Sequence, residues 1–132
     1  MVEFALLLPV LVMVLLAIVK FGIAINNYVV LTNAVRTGAR TLAVGRGAAD
    51  PCASAITRVK NSASDLDSSK LTVTTSYGSV VDVSSCPSGG TPMVAGDDAT
   101  LRASYPCDLT ILGIDFAFGH CTISSRTTER IE

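Results

Sequence analysis

Tryptophan is absent from this 132-residue chain, and three tyrosines and four phenylalanines provide too few rings for an extended aromatic pathway. Charge is equally sparse. Ten basic and eleven acidic side chains leave a net charge of -1, which offers no strongly charged surface and argues against a nucleic acid as partner. The chain has one histidine, His120, no glycine-rich phosphate loop and no motif pairing a nucleophile with a base, so no catalytic residue and no cofactor are assigned. His120 itself reads as a strand-end residue beside Cys121. The four cysteines, Cys52, Cys86, Cys107 and Cys121, include no CxxC pair, which removes the commonest spacing of a zinc site. Asp97 and Asp98 follow Gly96 as a turn, without the regular ligand spacing of a calcium loop, and no metal ligand is assigned.

What the chain does have is an apolar excess concentrated at its start. From Phe4 to Ile25 only Pro9, Lys20 and Gly22 depart from apolar character. As a helix this run reaches about 33 Å, enough to cross a bilayer. A secretory signal peptide has a basic start, a shorter apolar core and a small-residue cleavage site, whereas Glu3 precedes this run and no such site occurs before Asn26. The run is therefore read as a retained membrane segment. Its orientation is signalled in two ways. Lys20, Arg36 and Arg40 lie towards its C-terminal side and no basic residue precedes Phe4, which by the positive-inside tendency places the remainder in the cytoplasm. An even number of cysteines in a small, Ser/Thr-rich region points instead to disulfides and an oxidising compartment. The cysteines are given priority, because the sequence starts abruptly in the apolar run and a basic leader, removed or left out, would restore the asymmetry. The expected location is the inner membrane, with the cysteine-bearing part on the periplasmic or outer side.

Helical character continues past Ile25. Phe21, Ala24, Tyr28, Leu31, Val35, Gly38 and Leu42 fall at alternating three- and four-residue intervals, the spacing of a continuous seam, with Asn33, Arg36 and Arg40 away from it. One helix from about Val2 to Val44, roughly 65 Å long, is expected, stopped by Gly45, Gly47, Asp50 and Pro51. Pro9 lacks a backbone donor and is expected to loosen or kink the first turns. Asp50 and Pro51 suit the N-cap and first position of a second helix carrying Cys52, Ala55, Ile56, Val59, Ala63 and Leu66 at a 3.6 period. Leu71, Val73, Thr75 and Tyr77 then alternate, Gly78-Ser79 fits a two-residue turn, and Val81 and Val83 return as the second arm of a hairpin. Another strand runs through Ala99, Leu101, Ala103 and Tyr105 to Pro106, and a fourth from His120 to about Arg130. The fold class is α+β: a long N-terminal helix (1–46, with 4–25 transmembrane and 26–46 as its outer half) and a disulfide-bonded globular domain (47–132) with a small antiparallel sheet and one short extra helix.

If the strand ending at Pro106 and the final strand are antiparallel neighbours, Cys107 and Cys121 lie at the same end of the sheet and are expected to pair. Cys52 and Cys86 pair as the remainder. Leu109, Ile111, Leu112, Ile114, Phe116 and Phe118 form an apolar stretch that needs a cover, either the chain's own sheet or a second subunit.

The opening Val2-Glu3-Phe4-Ala5-Leu6-Leu7-Leu8-Pro9, then Phe21-Gly22 and the run Leu31-Thr32-Asn33-Ala34-Val35-Arg36-Thr37-Gly38-Ala39-Arg40, resembles the TadE-like pilins of the tight-adherence class of type IV pili. Ala103-Ser104-Tyr105-Pro106 and the closing Ser124 to Glu132 are similar to that family's last strands. The resemblance implies a bitopic precursor cut by a prepilin peptidase after a glycine, held in the inner membrane, and drawn by the pilus assembly machinery into a helical filament of copies of itself. The expected role is a structural pilin. A minor, initiating pilin and a membrane-anchored binding or adhesin domain that never polymerises are the alternatives.

Assembly residues follow from this reading. Glu3 is the one acid before Asp50, and a carboxylate in hydrocarbon costs about 2.5–3.5 kcal/mol unless paired. Its expected partner is the α-amino group of an adjacent subunit, against the plainer reading of a headgroup-level acid favoured by the helix dipole. Phe4, Pro9, Phe21 and Tyr28 belong to the packing surface of the helix. Ala34, Gly38, Ala39 and Ala43 allow close backbone approach, to the chain's own sheet and to neighbours. Arg36 and Arg40, four apart, either meet acids of another subunit such as Asp97 or Asp98, or form a solvated basic face.

Overall fold

The computed structural model describes residues 2–84, 86, 93–108, 110–111, 114–115 and 121–132; of Val2, Glu3, Ala5, Thr110, Ile111, Ile114 and Asp115 it describes the backbone. The first element, α1 (Val2–Ala43), is one continuous helix that passes through Pro9. Most of its first part is exposed, whereas Leu31, Ala34, Val35, Ala39, Leu42 and Ala43 are buried, an i, i+3, i+4 progression that lays a single face on the rest of the chain. Two consecutive backbone bonds end the helix, Val44 N–H to Arg40 O at 3.1 Å and Gly45 N–H to Leu42 O at 3.1 Å.

After the turn, α2 (Pro51–Ser62) starts on Asp50, whose Oδ1 accepts the Ala53 N–H at 3.0 Å, while Pro51 occupies the first turn where no donor is required. Its buried face is Pro51, Cys52, Ala55 and Val59. The helix is shorter than its apolar pattern. Ala63 becomes the C-cap, and Leu66 is buried from the following turn, where its N–H reaches Ala63 O at 2.9 Å. Ile56 is only half-buried. A second turn is held by Asp67, whose Oδ1 accepts from the Ser69 hydroxyl at 2.7 Å and the Ser69 N–H at 3.0 Å. These two bonds, the hydroxyl first, keep the Asp67 carboxyl below its ordinary range.

The strands are β1 (Thr72–Tyr77), β2 (Val80–Val83), β3 (Asp98–Pro106), β4 (Thr110–Ile111), β5 (Ile114–Asp115) and β6 (Thr122–Arg130). The main sheet is antiparallel in the order β2-β1-β3-β6, so β3 is central and pairs Leu101 with Thr75 on one side and with Thr127 on the other. Gly78, at φ 55°, begins the tight turn that pairs Tyr77 with Val80. The hairpin register then shifts before Thr75 meets Val83, and Asp82 takes a left-handed φ of 46° within that irregularity. β4 and β5 form a separate two-stranded ribbon. The last strand begins at Thr122, and His120 lies outside the described residues.

Alternation decides which side chains enter the core. Val73, Thr75 and Tyr77 of β1 and Ala99, Leu101 and Ala103 of β3 are buried against α1 and α2. Thr75 is the polar member of that layer; its Oγ1 donates to Val83 O and lies 3.5 Å from Cys52 Sγ. Among the described residues, no buried side-chain nitrogen or oxygen is left without a partner. The disulfides join Cys52 to Cys86, with Cα atoms 5.7 Å apart, and Cys107 to Cys121, 5.1 Å apart. The second closes the end of the β3–β6 pair, where the Cys107 N–H also bonds Cys121 O at 3.0 Å.

Gly38 sits in the core with no room for a side chain. A Cβ there would collide with the Val59 side chain and stand 3.3 Å from Ala55 O and 3.4 Å from Leu101 Cδ1, so the missing side chain is what allows α1, α2 and β3 to meet. Gly38→Leu is expected to destabilise the domain by about 1–3 kcal/mol or more through overpacking. Thermal unfolding of the detergent-solubilised chain is the check, and an unchanged midpoint would mean that α2 does not press on this turn of α1.

Candidate assembly surface

The conspicuous functional feature is a surface. From Phe4 to Val29 nearly every large apolar side chain of α1 is exposed, all round the helix, including Leu7, Leu11, Val14, Ile18, Val19 and Ile25. Soluble monomers rarely expose contiguous apolar surface on this scale, so this surface calls for lipid or protein as its neighbour. The helix is long and apolar enough to cross a membrane.

The anticipated assembly residues divide between this surface and the core. The backbone of Glu3 is in the first turn of α1, and its side chain lies outside the described residues. Phe4 is 80% exposed, and Pro9 is exposed inside the helix. Phe21 and Tyr28 remain 60% and 48% exposed. Arg36 and Arg40 are exposed, away from the core, and make no ion pair among the described residues. Arg40 borders a cavity that it shares with Glu129 and Glu132. Asp97 and Asp98 are exposed at the start of β3. Gly38 is buried, and Ala34, Ala39 and Ala43 are buried beside it, so this small-residue face is occupied by the chain's own domain.

The covered stripe differs from the anticipated seam at its inner end. It runs through Lys20, Ala24 and Asn27, which are half-buried, while Phe21 and Tyr28 stay open. The cause is the loop that follows β3. Asp108 reaches down to Lys20, Oδ2 to Nζ at 3.5 Å, and its carboxylate settles against Lys20 and Asn27 more readily than against aromatic rings. The lone cation in the apolar run was the available sequence signal for this contact; its partner, far along the chain, carried none. Of the apolar stretch from Leu109 to Phe118, Leu109, Leu112, Phe116 and Phe118 lie outside the described residues. The β4 backbone approaches α1.

A helix whose inner turns are bare and whose outer turns form the core of a small α+β domain is the arrangement against which relatives can be weighed. Residues 1–40 match the family described as TadE-like protein. This TadE-like segment takes in the exposed apolar surface from Phe4 to Val29 and every turn of α1 up to Arg40. No curated protein and no solved structure gives a match.

The two ends of α1 should respond differently to truncation. Leu31→Ala, in the core, is expected to cost about 2–5 kcal/mol. Phe21→Ala, outside it, should stay within about 0.5 kcal/mol of the parent in unfolding of the detergent-solubilised chain. Equal losses would show that the chain's own fold does cover Phe21.

Proposed function

We propose that the chain is a structural pilin subunit of a Tad-class, type IV-like pilus, acting by assembly rather than by catalysis. The observation that carries the reading is the exposed apolar surface from Phe4 to Val29 inside a TadE-like segment. Before assembly, lipid covers that surface in the inner membrane, with the disulfide-bonded domain on the outer side. On extraction by the pilus machinery, after cleavage by a prepilin peptidase, neighbouring helices replace the lipid, and apolar burial and close packing between copies become the cohesive term of an extracellular filament.

Within this reading Glu3 sets axial register. Its carboxylate pairs with the α-amino group of the next subunit, because an unpaired charge is costly in the low-dielectric filament core. Phe21 and Tyr28 are available for contacts between helices, and Arg36 and Arg40 face outward, where acids of a neighbour such as Asp97 and Asp98 are complementary.

Electron microscopy of sheared cell-surface material, with mass spectrometry of the purified fibres, tests the reading. The chain should be the repeating component. A trace component would identify a minor, initiating pilin, and a detergent-soluble monomer without fibres would identify a membrane-anchored binding domain. Glu3→Gln keeps the shape and removes the charge, so it is expected to leave the monomer folded and membrane-inserted while reducing fibre yield severalfold. Undiminished yield from that variant would rule out the pairing.

A further inference from the structure

A cavity of about 280 Å³ lies between α1 and the end of β3, and its wall includes Lys20, Asn27, Lys70, Tyr105 and Asp108. Its position along the helix is informative, on the membrane reading above, on which this inference rests. Exposed apolar residues continue past Lys20 on the open side of the helix, through Phe21 and Ile25, but on the side that faces the domain Lys20 and Asn27 are half-buried, and Lys20 is paired with an Asp108 side chain that is 73% exposed. An exposed carboxylate does not sit in hydrocarbon, so beneath the domain, headgroups take the place of hydrocarbon from Lys20 onward, while Phe21 and Ile25 on the open side stay against lipid, and the cavity opens at the level of the headgroups. The apolar stem of Lys20 suits that boundary, with the ammonium turned towards the polar side.

The composition of the wall specifies the ligand. Among the described residues of the wall, two ammonium groups, Lys20 and Lys70, and one carboxylate, Asp108, leave a single positive charge, which a phosphodiester neutralises. The Tyr105 hydroxyl and the Asn27 amide are neutral hydrogen-bonding groups suited to phosphate and glycerol oxygens. Lys70 is set in place by the turn that leads into β1, where its N–H bonds Asp67 O at 3.0 Å. We propose that this cavity binds the headgroup of a singly charged anionic phospholipid of the phosphatidylglycerol type, anchoring the underside of the domain to the membrane surface before assembly.

The full-length chain, reconstituted in vesicles of phosphatidylcholine with a minority of phosphatidylglycerol, provides the test. Insertion is first established by resistance to carbonate extraction, and lipid retention is then read by native mass spectrometry. The parent should retain phosphatidylglycerol in preference to phosphatidylcholine. Lys70→Gln, at an exposed side chain outside the core, should reduce that preference about fivefold, as expected for one lysine near a lipid surface. Lys60→Gln, on α2 and away from the cavity, should leave the preference unchanged. A chain that inserts yet retains both lipids equally, or loses its preference equally in both variants, overturns this proposal and leaves the membrane reading intact. A chain that does not insert overturns the membrane reading, and this proposal with it. Inorganic phosphate added at millimolar concentration should not displace the lipid; displacement would assign the cavity to free phosphate and overturn the headgroup assignment.

Discussion

The burial of Leu31, Val35 and Leu42 is the constraint on which the rest of the structure depends, because these residues belong to the same helix that leaves Phe4 to Val29 exposed. Full burial of such a side chain contributes about 1.5–3 kcal/mol, so these positions supply much of what a small domain needs to order itself. The outer half of α1 is therefore a core element. Remove it, and the sheet face carrying Val73, Tyr77, Ala99, Leu101 and Ala103 has α2 alone as cover.

The choice of small residues follows from that arrangement. β3 presents Ala99, Leu101 and Ala103 to α1, and α1 presents Ala34, Gly38 and Ala39. Small side chains on both elements bring backbones close, which makes the layer thin and leaves little apolar volume to stabilise it. The disulfides address this shortfall. In the chain-entropy model a closed loop of about 15 residues contributes about 3 kcal/mol, and Cys107–Cys121 closes a loop near that length at the end of the long β3–β6 pair. Cys52–Cys86 ties α2 to the chain that leaves the hairpin.

Much of this was legible in the sequence wherever the signal was local. Asp50-Pro51 before an apolar 3.6 period, Gly78-Ser79 between alternating runs and the unbroken apolar start are short-range patterns with a direct physical cause, and each appears as a helix start, a turn and a long helix. Boundaries were less legible. Ala63 and Leu66 carry the helical period beyond Ser62 because a turn can bury the same apolar residues as a helix continuing in the same direction. The rotation of the covered stripe from Phe21 and Tyr28 to Lys20 and Asn27 had one half of its signal in the sequence, the lone cation of the apolar run, and lacked the other. It depends on Asp108, a residue whose proximity to the helix is created by the β3 register and not by any spacing in the chain. The irregularity at Asp82 belongs to the same class: aspartate tolerates a left-handed backbone better than most residues, but nothing in the alternating run marks this position for one.

The same geometry couples the two halves of the molecule. Because α1 continues without interruption from the exposed surface into the core, no hinge residue separates the apolar turns from the domain, and Lys20–Asp108 adds a second point of attachment below the core. A rotation of the inner helix about its axis is therefore a rotation of the sheet. In a filament built on the inner helices, the way neighbouring helices settle around Phe21 and Tyr28 would set which face of each domain, the strand edge of β6 or the side bearing Arg36 and Arg40, meets the next copy. Domain contacts then need only be compatible with the helix packing rather than strong in themselves, which accords with an outer sheet surface of serine, threonine and a few charged side chains.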